Sequence, residues 1–174
     1  VTGSKVKSTT ASLIYAILKE AGKNVRLLGN IGNPMLGALM NPIKKDEIFV
    51  LELSSYQLDD ISLSPSIAVV TNLFPEHMDY HSGIENYYEA KKNIIKFQGR
   101  QDIFIYNTKN KESCQWLKEA RAKVVPFIEE SFLDGVNFSL IGEHNRKNIR
   151  AAVSVAKELS VSDEIIKMAI EKFK

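Results

Sequence analysis

The residues best suited to chemistry stand at the start of the chain, in Thr2-Gly3-Ser4-Lys5-Val6-Lys7-Ser8-Thr9-Thr10. Glycine, hydroxyls and lysines at a passage from strand to helix suit an anion, because the backbone N–H groups point outward and the helix dipole favours negative charge. A lysine there reaches the β and γ phosphates of a nucleotide, and the hydroxyl after it ligates Mg2+. Lys7 and Ser8 take those places. Thr9 is a further phosphate donor, and Gly3, Ser4, Lys5 and Val6 form the loop. The same residues also suit a plain polar helix start capped by Ser and Thr. Val6 is the odd member. A glycine before the lysine lets the backbone approach the phosphates and adopts positive φ cheaply, whereas a β-branched residue there is sterically penalised.

Two further segments deliver polar groups to the ends of apolar runs. Val50-Leu51-Glu52-Leu53-Ser54-Ser55-Tyr56-Gln57-Leu58 sets one carboxylate inside an apolar strand. Buried, Glu52 needs a partner. A metal or its water would serve, and so would a lysine or backbone groups. Thr71-Asn72-Leu73-Phe74-Pro75-Glu76-His77-Met78-Asp79-Tyr80-His81 ends the next apolar run. His77 suits a metal, a phosphate contact or a structural role. Two histidines in a turn-rich loop, with neither cysteine nor further histidine ligands, do not make a zinc site, and Mg2+ prefers oxygen, so His77 would be at most one ligand beside Glu52 and waters.

Positioning these groups requires strands alternating with helices, the pattern of a parallel α/β sheet. Helical spacing of Leu13, Ile14, Ile17 and Leu18 predicts a first helix from Lys7 to about Ala21, stopped at Gly22. Strands are expected at 25–29, 48–53, 67–73, 102–107 and 123–128. Further helices are expected from Pro34 to about Met40 and over 86–97, 111–120, 145–159 and 163–173, with Ser162 or Asp163 capping the last. Residues 129–141 are expected to hold a small β ribbon around Val136–Leu140. The fold class is therefore α/β: a mostly parallel, doubly wound, phosphate-loop type of sheet with helices on both faces and its active face at the strand carboxyl ends.

Composition agrees with a globular protein. The 174 residues are 44% hydrophobic and 25% charged, with a formal net charge of +2. That balance argues against nucleic acid or an acidic membrane surface as partner. No apolar run is long enough to cross a bilayer. Cys114 is the one cysteine, so no internal disulfide forms, and a reducing compartment fits.

Several of these segments, in this order, resemble the Mur ligase and folylpolyglutamate synthetase superfamily. The loop resembles Thr-Gly-Thr/Ser-X-Gly-Lys-Ser/Thr-Thr, with Val6 in place of the glycine. Leu51-Glu52-Leu53-Ser54-Ser55-Tyr56-Gln57-Leu58 is very like the form found in the branch that adds D-glutamate to UDP-N-acetylmuramoyl-L-alanine. Thr71-Asn72 with Glu76-His77-Met78-Asp79, Tyr87 with Ala90-Lys91, Gly142-Glu143-His144-Asn145 with Asn148 and Ala151-Ala152, and Gly29-Asn30-Ile31-Gly32 match further family elements.

The resemblance implies residues 1–174 to be a central ATP-binding domain, with an N-terminal domain holding the UDP group and a C-terminal domain binding the amino acid. It implies ATP-driven amide formation in peptidoglycan synthesis, through an acyl phosphate, in the bacterial cytoplasm, by a monomer. Lys7 would hold the phosphates and Ser8 the first Mg2+. Glu52 and His77 would serve a second Mg2+. Asn145 and Asn148 would face adenine, and Asn30, Ser54 and Gln57 the muramoyl-peptide side. Lys91 would be carbamylated by CO2 and so become a carboxylate able to bind Mg2+. Without the resemblance, Lys91 is one of two adjacent lysines on a solvated helix face. The chain alone is expected to be inactive. The alternatives are a ligase of another amino-acid specificity and a non-catalytic domain impaired at Val6.

Overall fold

The order of elements follows from where apolar residues recur. In a computed structural model, residues 1–32, 35–38, 40, 42–76 and 81–174 are described. Helix α1 (Lys7–Glu20) buries Ala11, Leu13, Ile14, Ile17 and Leu18 along one face, each apolar side chain contributing about 1.5–3 kcal/mol when taken from water. Strand β1 (Val25–Gly29), helix α2 (Met35–Ala38) and strand β2 (Ile48–Glu52) follow. Next come α3 (Ser55–Asp59), β3 (Ile67–Val70), α4 (Ile84–Lys96), β4 (Ile103–Tyr106), α5 (Lys111–Gln115) and β5 (Lys123–Pro126). Helices α6 (Glu143–Glu158) and α7 (Asp163–Lys172) close the chain.

The parallel α/β class holds, with every strand pairing parallel, but the strands are divided between two sheets. One is β1-β2 and the other β3-β4-β5. The chain forms two compact units: residues 1–7 with 53–127, and residues 8–52 with 128–174.

In the first unit, β3, β4 and β5 follow one another in space as in sequence, so α4 and α5 serve as crossover helices between parallel neighbours. Val1 and Thr2 align beside β3: the Thr2 N–H donates to Val69 O, and the Thr71 N–H to Thr2 O. On its other side, the Leu53 N–H donates to Val1 O. This two-residue stub makes a single bridge, Thr2 with Val70. In the second unit, β1 and β2 pair from Val25 with Ile48 to Gly29 with Glu52. Helix α6 is buried over most of its length, from Asn148 to Ala156.

Two expectations change. Residues 129–141 form no ribbon. They hold a 3-10 turn at Glu130–Leu133 and then a tight bend, where the Val136 N–H bonds Leu133 O. A ribbon needs two facing strands, and this stretch supplies one candidate, Val136–Leu140, with no partner run. Helix α5 also stops early, passing into a 3-10 turn at Trp116–Lys118. Pro34, expected to open a helix, lies outside the described residues.

Candidate active site

Gly3 explains how the loop is held in the first unit. Its φ is +152°, and a Cβ there would stand 2.0 Å from Thr71 Oγ1 and 3.0 Å from Asn72 O. No side chain fits. The loop is therefore clamped to the carboxyl end of β3 by backbone contact. The Ser4 N–H donates to Asn72 O at 2.7 Å. Ser4 Oγ bonds Phe74 O and accepts from the Phe74 N–H, both at 2.8 Å, and shares a hydrogen bond of 2.9 Å with the Tyr87 hydroxyl. The Thr71 hydroxyl lies against Lys5 O at 3.2 Å. Lys5 itself is exposed.

Val6 has φ 60°. The backbone thus keeps the left-handed conformation that suits glycine, although the residue is β-branched, a strained state costing about 1–2 kcal/mol. Lys7 folds back over the loop and donates to Ser4 O at 3.1 Å.

Lys91 approaches the same loop from α4. It is 2% exposed. Its Nζ donates to Gly3 O at 2.9 Å and lies 4.9 Å from the centre of the Tyr87 ring. Burial, with Lys7 nearby, lowers its amine from 10.5 to about 7. Burial also raises the Tyr87 hydroxyl to about 12, so it stays protonated and able to donate. Lys92 takes the opposite environment, paired on the surface with Glu119 and Glu89. The solvated-face reading fits Lys92 and fails for Lys91. Tyr87, Lys91, Ile94 and Ile95 form one buried stripe at helical spacing. That spacing is the sequence signal that separates the two lysines.

The second unit holds the carboxylate. Glu52 ends β2 and is 3% exposed. Its Oε2 accepts from the Ser8 hydroxyl at 2.9 Å. Among the described residues no cation forms an ion pair with it. A buried carboxylate whose side-chain partner is a neutral hydroxyl can take a hard cation, and an all-oxygen pair suits Mg2+. Gly29, opposite Glu52 in register, brings the two backbones close: with φ +114°, a Cβ there would meet Glu52 O at 2.2 Å. The exposed Asn30 follows, its N–H donating to Glu52 O. Thr9 is half-buried in the first turn of α1. At the start of α6, Asn145 donates to Ile141 O, and the buried Asn148 donates to Asn145 Oδ1 at 3.2 Å.

Ser54 and Gln57, in the first unit, make a capping box on α3. Gln57 N–H donates to Ser54 Oγ, and Ser54 N–H to Gln57 Oε1. Sequence reasoning did not place this helix, although the Ser-x-x-Gln spacing marks it. His77 lies outside the described residues. Among the described residues, no three His, Cys, Asp or Glu gather as a metal cluster.

Comparison with known proteins decides the family, since the Mur ligase middle domain matches residues 1–134. This chain belongs to the Mur ligase middle-domain family. It is 36% identical to the UDP-N-acetylmuramoylalanine--D-glutamate ligase of Streptococcus mutans over 192 residues, covering 99% of this chain and 42% of that protein. It is 44% identical to the enzyme of the same name from Acetivibrio thermocellus over 134 residues, 77% of this chain and 28% of that one. The chain thus spans less than half the length of these relatives. A MurF ligase from Thermotoga maritima, solved in complex with ADP, shares the fold with a TM-score of 0.78 at 20% identity, over 100% of this chain and 47% of that one.

Proposed function

We propose that this Mur ligase middle domain binds ATP at the loop of residues 3–9 and serves an enzyme that joins D-glutamate to UDP-N-acetylmuramoyl-L-alanine. The observation that carries the reading is Lys91: a buried amine, lowered toward neutrality, on the carbonyl of the phosphate-loop glycine. A solvated lysine would keep its ordinary high value, whereas a lysine to be carbamylated needs a neutral amine. The D-glutamate relatives support the substrates.

In this reading the substrate carboxylate attacks the γ-phosphate, the bond to the β-phosphate breaks, ADP leaves and an acyl phosphate is formed. The amine of D-glutamate attacks that carbonyl, and phosphate leaves. The chain positions the reactants and neutralises charge. Gly3, Lys5, Val6 and Thr9 cradle the phosphates through backbone and hydroxyl donors, Ser4 braces the loop against Asn72 and Phe74, and Lys7 exchanges Ser4 O for a phosphate oxygen. Asn145 and Asn148 take the adenine end, and Asn30, Ser54 and Gln57 the muramoyl-peptide side. Ser8 and Glu52 would hold Mg2+, with His77 and a carbamylated Lys91 as further ligands. The metal supplies neutralisation of phosphate charge when bound. Residues 1–174 act as a central domain between an N-terminal and a C-terminal domain, in a cytoplasmic monomer.

The test is ADP release by the intact protein. Release that requires both UDP-N-acetylmuramoyl-L-alanine and D-glutamate is expected. Release driven by another amino acid, or none with any, would contradict the proposal.

A further inference from the structure

Asn72 and Asn107 follow β3 and β4, which are hydrogen-bonded neighbours. The two ends of a side-chain amide have the same shape, so its direction must come from its partners. Here one end settles it. The Lys109 N–H can only donate, and it bonds Asn107 Oδ1 at 3.0 Å. Asn107 Nδ2 is therefore left to donate to Asn72 Oδ1, at 2.7 Å. Asn72 Oδ1 thus faces Asn107 with one of its two lone pairs engaged, and Nδ2 is the end turned away from that bond. Among the described residues no acceptor is bonded to that nitrogen. Asn107 is 5% exposed, which holds the relay rigid, while Asn72 is only half-buried.

Asn72 also touches the loop through its backbone. Its carbonyl accepts from the Ser4 N–H and stands 3.0 Å from where a Gly3 Cβ would lie. The backbone of Asn72 thus stands against the phosphate loop, while its side-chain oxygen is turned to Asn107.

We propose that Asn72 is a further contact for the nucleotide phosphates, donating from Nδ2 to an anionic oxygen, and that Asn107 is a positioning residue selecting which end of the Asn72 amide is offered. The inference rests on the ATP reading of the loop. Its signature is directional. Asn107→Asp keeps the acceptor for Lys109 N–H but replaces the donor with a carboxylate oxygen. Asn72 then turns its nitrogen toward residue 107 and its oxygen toward the phosphates, where it repels them.

The test is titration of the intact protein with Mg-ATP and, separately, with adenosine. Asn107→Asp should weaken Mg-ATP binding about ten-fold or more, the scale of a lost bond to a charged group, and leave adenosine unchanged. Asn107→Ala, which frees Asn72 without reversing it, should lose less. Asn72→Ala, on the more exposed residue, repeats the ATP-specific loss should the Asn107 variants unfold. Unchanged Mg-ATP binding in Asn72→Ala and Asn107→Asp, or an equal loss for adenosine, overturns the proposal while the ATP reading stands. A wild-type protein that binds neither ligand overturns the ATP reading and this inference with it.

Discussion

Val6 bears a branched side chain where the backbone is left-handed, at φ 60°. Left-handed geometry costs an L-residue about 1–2 kcal/mol, and glycine loses about 0.5–1 kcal/mol more backbone entropy on ordering. The two nearly offset, so Val6→Gly should change stability by less than about 1 kcal/mol, in the stabilising direction, as read from urea midpoints. A clear destabilisation would mean that the valine side chain packs productively. Lys91 carries the pH dependence. Its folded value, about 7, lies below its ordinary 10.5. Between these values the unfolded chain holds a proton that the folded chain has released, so this residue's contribution to stability rises with pH across that window. The stability of wild type relative to Lys91→Met should therefore grow from pH about 6.5 to about 9.5. A flat difference would place Lys91 in water. The place of the loop was legible, because helical spacing predicts the start of α1 at Lys7. The burial of Lys91 was legible only through helical spacing, since Lys91 and Lys92 are chemically identical.

At the scale of elements, two glycines let strands and loop approach. Gly3→Ala should cost about 3 kcal/mol or more, because its Cβ would press on Thr71 and the Asn72 backbone. Gly29→Ala should shift Glu52, since the contact is to that residue's own carbonyl. Mg2+ dependence of nucleotide binding should weaken with it, and Mg2+ titrations at fixed nucleotide would read this. An unaltered Mg2+ response would detach Glu52 from the metal. The strands and long helices were legible because apolar periodicity reports burial directly. Helix α3 was missed, as its single turn is set by the Ser54–Gln57 cap instead of by periodicity. The ribbon near Val136 failed because β propensity in one short run says nothing about a partner. The Asn72–Asn107 pair could not be seen at all, because it depends on which strands are neighbours.

For the whole molecule, parallel pairing was legible and its division into two sheets was not, for pairing between distant segments leaves no mark in local pattern. The chain spans less than half of its D-glutamate ligase relatives. Residues 1–174 alone are expected to release no ADP in response to D-glutamate, and turnover by them would show that the rest of the relatives' length is dispensable for the reaction.

The central claim, that the loop of residues 3–9 holds ATP, is tested most directly by calorimetric titration of Mg-ATP into the chain, beside Lys7→Ala and Val6→Gly. Binding that Lys7→Ala abolishes, and that Val6→Gly preserves or tightens, is the predicted result. Binding untouched by Lys7→Ala, or absent from both the wild-type chain and Val6→Gly, would contradict it.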